Sequence, residues 1–178
     1  MNMNLLLAGF GGQGILFTGK VAAYAGMLDG GEVSWLPSYG PEMRGGTANC
    51  SVCVSDRPIG SPLVTAPDVL VVMNLPSLEK FEQIVVPGGT IIVDSSIVEA
   101  KVKRKDVNAI YVPATRLASD SGLKGMANMV ILGRLYREIK FCSEESFYEG
   151  IRKSIPARKQ DLLDSNMKAV KIGMEGGV

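Results

Sequence analysis

A short apolar run, Leu5-Leu6-Leu7-Ala8, passes directly into Gly9-Phe10-Gly11-Gly12-Gln13-Gly14. A continuous apolar run that ends in glycine reads as a strand buried on both faces. From Ile15 to Leu28 the spacing becomes helical, with Ile15, Thr18, Gly19, Ala22, Ala25 and Gly26 forming a face of small residues. A strand joined to a helix by a glycine-rich turn predicts an α/β domain whose first helix lies close against the sheet. Gly30-Gly31 ends that helix.

The rest of the chain repeats the alternation. Val33–Leu36 reads as a second strand, and residues 37–46 as a glycine-rich loop. Thr47–Ser55 alternates, with Ala48, Cys50, Val52 and Val54 on one face, and is expected to be a half-buried strand. The turn at Asp56-Arg57-Pro58 suggests an antiparallel part of a mixed sheet. Residues 68–74 and 90–94 are buried strands, and residues 109–112 the last one. Pro76 opens a helix with Ser77–Ile84 as its body. Lys101, Lys103, Arg104 and Lys105 read as a solvated surface or hairpin edge. Lys124–Ile139 is apolar nearly all round, so it is a helix in the core or in an interface. Ser143 caps a helix from Glu144. Ala157–Met174 reads as a last amphipathic helix. The expectation is one three-layer, Rossmann-like α/β domain over residues 1–178, with a parallel or mixed sheet.

Composition narrows the function. A net charge of +1 is not the basic excess of a duplex-binding domain. No apolar run approaches the roughly 20 residues of a membrane span, and the start lacks the basic region of a signal peptide. A cytoplasmic protein is expected. Histidine is absent, which removes Ser-His-Asp and Cys-His catalysis from this chain. Three cysteines build no disulfide framework. On a strand, Cys50 and Cys53 point to opposite faces, so their spacing does not make a metal or redox pair. Cys50 belongs in the core.

Two loops carry the candidate chemistry. Gly9-x-Gly11-x-x-Gly14 has dinucleotide-fingerprint spacing between a strand and a helix, where backbone N–H groups can reach a phosphate. The fingerprint also calls for an acidic residue at the end of the second strand. Leu36-Pro37-Ser38-Tyr39 supplies none, and Glu32 precedes the strand, so a nicotinamide cofactor is disfavoured. No Lys-Ser/Thr follows Gly14, so this is not a Walker A loop. The glycines serve either close helix–strand packing or the approach of a ligand or partner. Ser38-Tyr39-Gly40-Pro41-Glu42-Met43-Arg44-Gly45-Gly46-Thr47 follows another strand end, where ligand crevices of open α/β sheets lie. Glu42 and Arg44 either edge a site or pair locally. Asn128, polar among Met and Ala, either bonds nearby backbone or faces a subunit seam. Gly122, Gly125 and Met126 stand where N–H donors could approach an anion.

Together, residues 7–14 and 38–48 resemble the gamma subunit of 2-oxoacid:ferredoxin oxidoreductases. Residues 68–74, Pro87-Gly88-Gly89 and Asn128-Met129-Val130-x-Leu132-Gly133 are similar to that family too. The resemblance implies a holoenzyme that decarboxylates a 2-oxoacid on thiamine diphosphate with Mg. It passes electrons through iron–sulfur clusters to ferredoxin and releases an acyl-CoA. Partners would be alpha and beta subunits and a ferredoxin-like delta subunit, unless the delta function lies within beta. This chain would hold no cofactor tightly and would be inactive alone, with a homodimer possible on isolation. Gly9, Gly11, Gly12, Gln13, Gly14, Ser38, Tyr39, Glu42, Arg44, Gly45, Gly46 and Asn128 are the residues it places at a cleft used by coenzyme A. The small subunit of indolepyruvate:ferredoxin oxidoreductase, a stand-alone nucleotide-binding module and a ligand-free scaffold are the other readings.

Overall fold

A computed structural model describes residues 2–38 and 47–176. In chain order the elements are β1 (Met3–Phe10), α1 (Ile15–Leu28), β2 (Glu32–Ser38), β3 (Thr47–Ser55), β4 (Val69–Val72), α2 (Leu75–Phe81), β5 (Thr90–Asp94) and β6 (Asn108–Val112). Then come α3 (Ala114–Asp120), α4 (Ala127–Ile139), α5 (Glu144–Ser154) and α6 (Leu163–Glu175). Short 3-10 turns occupy Glu82–Ile84 and Ala157–Leu162.

The sheet order is β2-β3-β1-β4-β5-β6. β1 pairs parallel to β4 and antiparallel to β3, and β2 pairs antiparallel to β3. β4, β5 and β6 run parallel. The sheet is therefore mixed, with the antiparallel part where the turn after Ser55 placed it.

The period of the strands divides the core. Leu5 and Leu7 join a large cluster with residues of α1, α3, α4, α5 and α6, while Leu6 joins Leu70, Val72, Ile91 and Val93 beneath Leu78 of α2. The small-residue face of α1 is buried as expected. A side chain at Gly19 would collide with Cys50 Sγ, and one at Gly26 would meet Val54 at 2.8 Å. The helix ends as a Schellman motif: Gly30 and Gly31 N–H donate to Met27 and Gly26 carbonyls, with Gly30 at φ 87°. At the far edge, β2 exposes Trp35 (39%) and Leu36 (37%).

Four expectations need correction. β3 is buried on both faces, because residues 61–64 fold over its second one. Ser51 Oγ accepts from Val64 N at 3.1 Å, and Cys53 Sγ lies 3.9 Å from Ser61 O. An extra helix, α3, precedes α4, which starts at Ala127 rather than Lys124. The last helix begins at Leu163, because residues 157–162 form a 3-10 turn with Lys159 out of helical geometry. Arg104 is not part of a solvated run. It donates to Val85 O and pairs with Asp106 at 2.5 Å, while the buried Glu82 carboxylate accepts from Lys103 N and Arg104 N. The Arg104 guanidinium holds the Asp106 carboxyl below its ordinary range.

Candidate functional site

The glycine turn sits at the carboxyl end of β1, between β3 and β4. It is held by its own glutamine. Gln13 Oε1 accepts from Phe10 N at 2.6 Å, and Gln13 Nε2 donates to Met73 O at 2.9 Å, beyond the end of β4. Gly9 leaves the room this requires, since a Cβ there would meet Gln13 Oε1 at 2.6 Å. Gly12 (φ 93°) and Gly14 (φ 78°) are left-handed, a region that costs other residues about 1–2 kcal/mol. Gly14 is also the N-cap of α1, whose start no side chain caps. The free N–H groups of this first turn are donors without intrahelical partners.

Asn128 ties the turn to the start of α4. Its Nδ2 donates to Gly14 O at 3.4 Å and to Thr18 Oγ1 at 3.3 Å, and Thr18 Oγ1 donates to the same carbonyl at 3.1 Å. A side chain at Gly14 would meet the Asn128 amide at 2.5 Å. Asn128 thus bonds neighbouring backbone, the first of its two expected roles.

A cleft of about 310 Å³ opens beside the turn, lined by Gly12, Gln13, Met73, Thr115, Lys124 and Gly125 among others. It lies outside the carboxyl ends of β1, β4 and β5, the usual place for ligands in such sheets. Its far wall is set by Asp94, wholly buried at the end of β5. Asp94 accepts from Thr115 Oγ1 at 2.6 Å, from Thr115 N at 3.3 Å and from Ser96 N at 3.1 Å. These bonds fix the start of α3. Gly122 (φ 71°) and Gly125 (φ 86°) shape the approach to α4.

Of the residues singled out from sequence, Gly9, Gly11, Gly12, Gln13, Gly14 and Asn128 come together here. Ser38 ends the edge strand β2, opposite Asn49. Tyr39, Glu42, Arg44, Gly45 and Gly46 lie outside the described residues. Sequence reasoning missed Asp94, Thr115 and the N-cap Asn74. Asn74 Oδ1 accepts from Ser77 N at 2.8 Å, and its Nδ2 is buried without a hydrogen-bond partner among the described residues. An Asn at a strand end before Leu-Pro was the available signal, as an N-cap followed by a helix-opening Pro.

The cysteines do not converge. Cys50 Sγ faces Ile15 O (3.7 Å) and Cys53 Sγ faces Ser61 O, on opposite sides of β3, while Cys142 lies between α4 and α5. All three are free and buried, and burial pushes the thiols of Cys50 and Cys142 up to about 12. Such thiols are poor cluster ligands, which bind as thiolates. Among the described residues no group of three or more His, Cys, Asp or Glu is placed to hold a metal. No helix there is long and apolar enough to cross a membrane.

Comparison with known proteins agrees with this architecture. The ketoisovalerate oxidoreductase subunit VorA of Methanothermobacter thermautotrophicus is 42% identical over 170 residues, covering 95% of this chain and 35% of the relative. The chain thus spans about a third of that protein's length. The 2-oxoglutarate synthase subunit KorC of Methanocaldococcus jannaschii is 36% identical, with 98% of this chain and 94% of the relative covered. The crystal structure of a keto/oxoacid ferredoxin oxidoreductase gamma subunit from Geobacter sulfurreducens superposes with a TM-score of 0.83 at 26% identity, covering 97% of this chain and 96% of that one. The family model for pyruvate ferredoxin/flavodoxin oxidoreductase matches residues 4–176. By its sequence and by its fold, the chain belongs to the pyruvate ferredoxin/flavodoxin oxidoreductase family.

Proposed function

We propose that this chain is a gamma-type subunit of a 2-oxoacid:ferredoxin oxidoreductase and forms the coenzyme A side of the shared active-site cleft. The observation that carries the reading is the glycine turn. Gln13 and Asn128 hold it from two sides, the exposed Gly12 lines the cleft, and α1, which starts just after it, has no side-chain cap. Preorganised N–H groups at a helix start suit a phosphate or a carboxylate. The 42% and 36% identical relatives are named for ketoisovalerate and 2-oxoglutarate, which favours this reading over the indolepyruvate one.

In the assembled enzyme the oxidation is carried by groups on alpha, beta and delta partners. As the family resemblance implies, those partners would hold thiamine diphosphate, Mg and the iron–sulfur clusters, which would supply the decarboxylation and the electron path to ferredoxin, with coenzyme A as the acyl acceptor. This chain's own residues position. Gly9, Gly11, Gly12, Gln13 and Gly14 form one rim of the cleft. Ser38 and, outside the described residues, Tyr39, Glu42, Arg44, Gly45 and Gly46 are assigned to the facing rim on the strength of the sequence resemblance. Arg44 suits a phosphate or carboxylate. Steady-state kinetics of the assembled enzyme test the proposal. Arg44→Ala and Gly12→Ala are each expected to raise KM for coenzyme A about tenfold, the cost of one charge-assisted bond or of a strained donor turn. KM for the 2-oxoacid should stay in place. Unchanged coenzyme A dependence and unchanged assembly in both variants would sink it.

A further inference from the structure

At the β6 edge of the sheet a groove of about 530 Å³ is lined by Ser95, Ser96, Lys101, Tyr111, Pro113 and Arg116. It stands behind the wall of the glycine cleft. Ile97 and Thr115 line that cleft, while their chain neighbours Ser96 and Arg116 line the groove. Its two cations come from separate segments, Lys101 from the stretch between β5 and β6 and Arg116 from α3. Both are exposed, and neither forms an ion pair among the described residues. No carboxylate lines the groove among those residues. Asp94, bonded to its walls, is wholly buried and already accepts from Thr115 Oγ1, Thr115 N and Ser96 N.

The groove is braced from several sides. Ser95 N donates to Val112 O at 2.9 Å, and Arg116 N donates to Ser96 Oγ at 3.1 Å. Val102 N donates to the Tyr111 hydroxyl at 2.9 Å. The buried Glu82 carboxylate accepts from Lys103 N and Arg104 N. A ring on β6 and an acid from the turn after α2 thus pin the backbone that carries Lys101. Lys101 Nζ itself lies over the Tyr111 ring, 4.0 Å from its centroid. A lysine that only keeps an edge strand solvated needs no such bracing.

The polar groups that remain are donors. Ser96 Oγ has accepted from Arg116 N and keeps its O–H to give, while an ammonium and a guanidinium can only donate. A ligand must therefore bring negative charge and several acceptor oxygens together, as a phosphate group does. One face of Tyr111 carries Lys101, and the ring packs on the cluster of Leu6 and Leu70, so no free face is left to stack an aromatic base. The volume lies within the range of about 300–1,000 Å³ typical of small-ligand pockets, which leaves room for a body beyond the phosphate. We infer that this groove binds a small, non-aromatic phosphate monoester, with its phosphate between Lys101, Arg116 and Ser96 and its body along Tyr111 and Pro113. The site is independent of the coenzyme A cleft proposed above and stands whether or not that cleft does.

An NMR titration of the full chain tests the site, with glycerol 3-phosphate, glycerol and adenosine 3′,5′-bisphosphate as probes. Glycerol 3-phosphate is expected to shift the amide signals of Ser95, Ser96 and Arg116, less so as salt rises, and glycerol to leave them in place. Lys101→Gln and Arg116→Gln should each weaken binding about tenfold, as loss of a charge-assisted phosphate bond does. Lys105→Gln should not, because Lys105 belongs to the same basic run but does not line the groove. All three side chains are exposed, so the variants should keep the parent's spectrum away from the groove. Four results overturn the site: no shift with glycerol 3-phosphate, shifts centred on Gly12–Gly14 instead, a loss in Lys105→Gln equal to that in Lys101→Gln, or tighter binding of the bisphosphate at the same amides.

Discussion

Gly12 and Gly14 share a left-handed backbone but not a surrounding. A Cβ at Gly12 would meet nothing within 4 Å, whereas one at Gly14 would strike the Asn128 amide at 2.5 Å. Gly12→Ala should therefore cost about 1 kcal/mol of strain. Gly14→Ala should cost about 3 kcal/mol, because overpacking adds to that strain. Adding Asn128→Ala to Gly14→Ala should recover the collision and not the strain. Urea unfolding of the three variants checks this; equal losses for Gly12→Ala and Gly14→Ala would remove the argument. The need for glycine at Gly14 could be read from the fingerprint spacing; Gly12 falls at one of its open positions, and its left-handed φ shows only in the structure. The work of Gln13 could not be read either, because one of its two partners, Met73, is 60 residues away. Asn128 was conspicuous as a polar residue in an apolar helix, yet its partner carbonyl at Gly14 emerges only once α1 and α4 are packed.

At the scale of elements, α4 and α6 meet backbone to backbone. A Cβ on Gly133 would fall on Val170 O, and one on Gly173 on Val130 O. The two glycines permit one contact from both sides, and no side-chain rotation relieves an added methyl. Gly133→Ala and Gly173→Ala should each cost about 3 kcal/mol, the upper part of the overpacking range. Because they spoil the same contact, the double variant should lose less than the sum; additive losses in a denaturant titration would show that the helices do not touch this way. The legible elements were those with strong punctuation. The glycine turn and Gly30-Gly31 bounded α1 to the residue, and strict alternation bounded β3. Helix α3 was not legible because it buries only Ala114 and Ala118, too small to show an apolar stripe. The burial of Ser51 and Cys53 depends on a loop that crosses the sheet, which no local pattern in β3 encodes.

Across the molecule, the order β2-β3-β1-β4-β5-β6 sets the first strand at the centre and gathers the candidate site at one end of the sheet. The alternation of strands and helices was enough to anticipate an α/β fold with a parallel or mixed sheet, and the turn at Asp56-Arg57-Pro58 pointed to the mixed one. The cleft was only half anticipated, since Thr115 lines it and Asp94 holds Thr115 through tertiary placement alone. The fold also sets a pH limit. Cys50 and Cys142 are held as neutral thiols to about 12, while an unfolded chain ionises them from about 8.5 upward. Their folded values are raised, so the stability they contribute is complete below about pH 8.5 and drains as pH rises towards the folded values. Unfolding free energy should thus fall from about pH 8.5 upward, and Cys50→Ala/Cys142→Ala should flatten that slope; an unaltered slope would exclude the two thiols as its cause.

The exposed edge of β2 has a last consequence. Trp35 is the chain's single tryptophan, and it stands on that edge, 39% open to water. Its indole nitrogen points back towards Gly19, so the ring straddles solvent and core. The protein therefore carries an intrinsic fluorophore at the rim of its sheet, away from the residues that line the glycine cleft. A subunit that covers this rim dries the indole and moves its emission to shorter wavelength, whereas a small molecule settling in the cleft leaves the colour unaltered. Assembly and ligand occupancy are thus optically separable without any label.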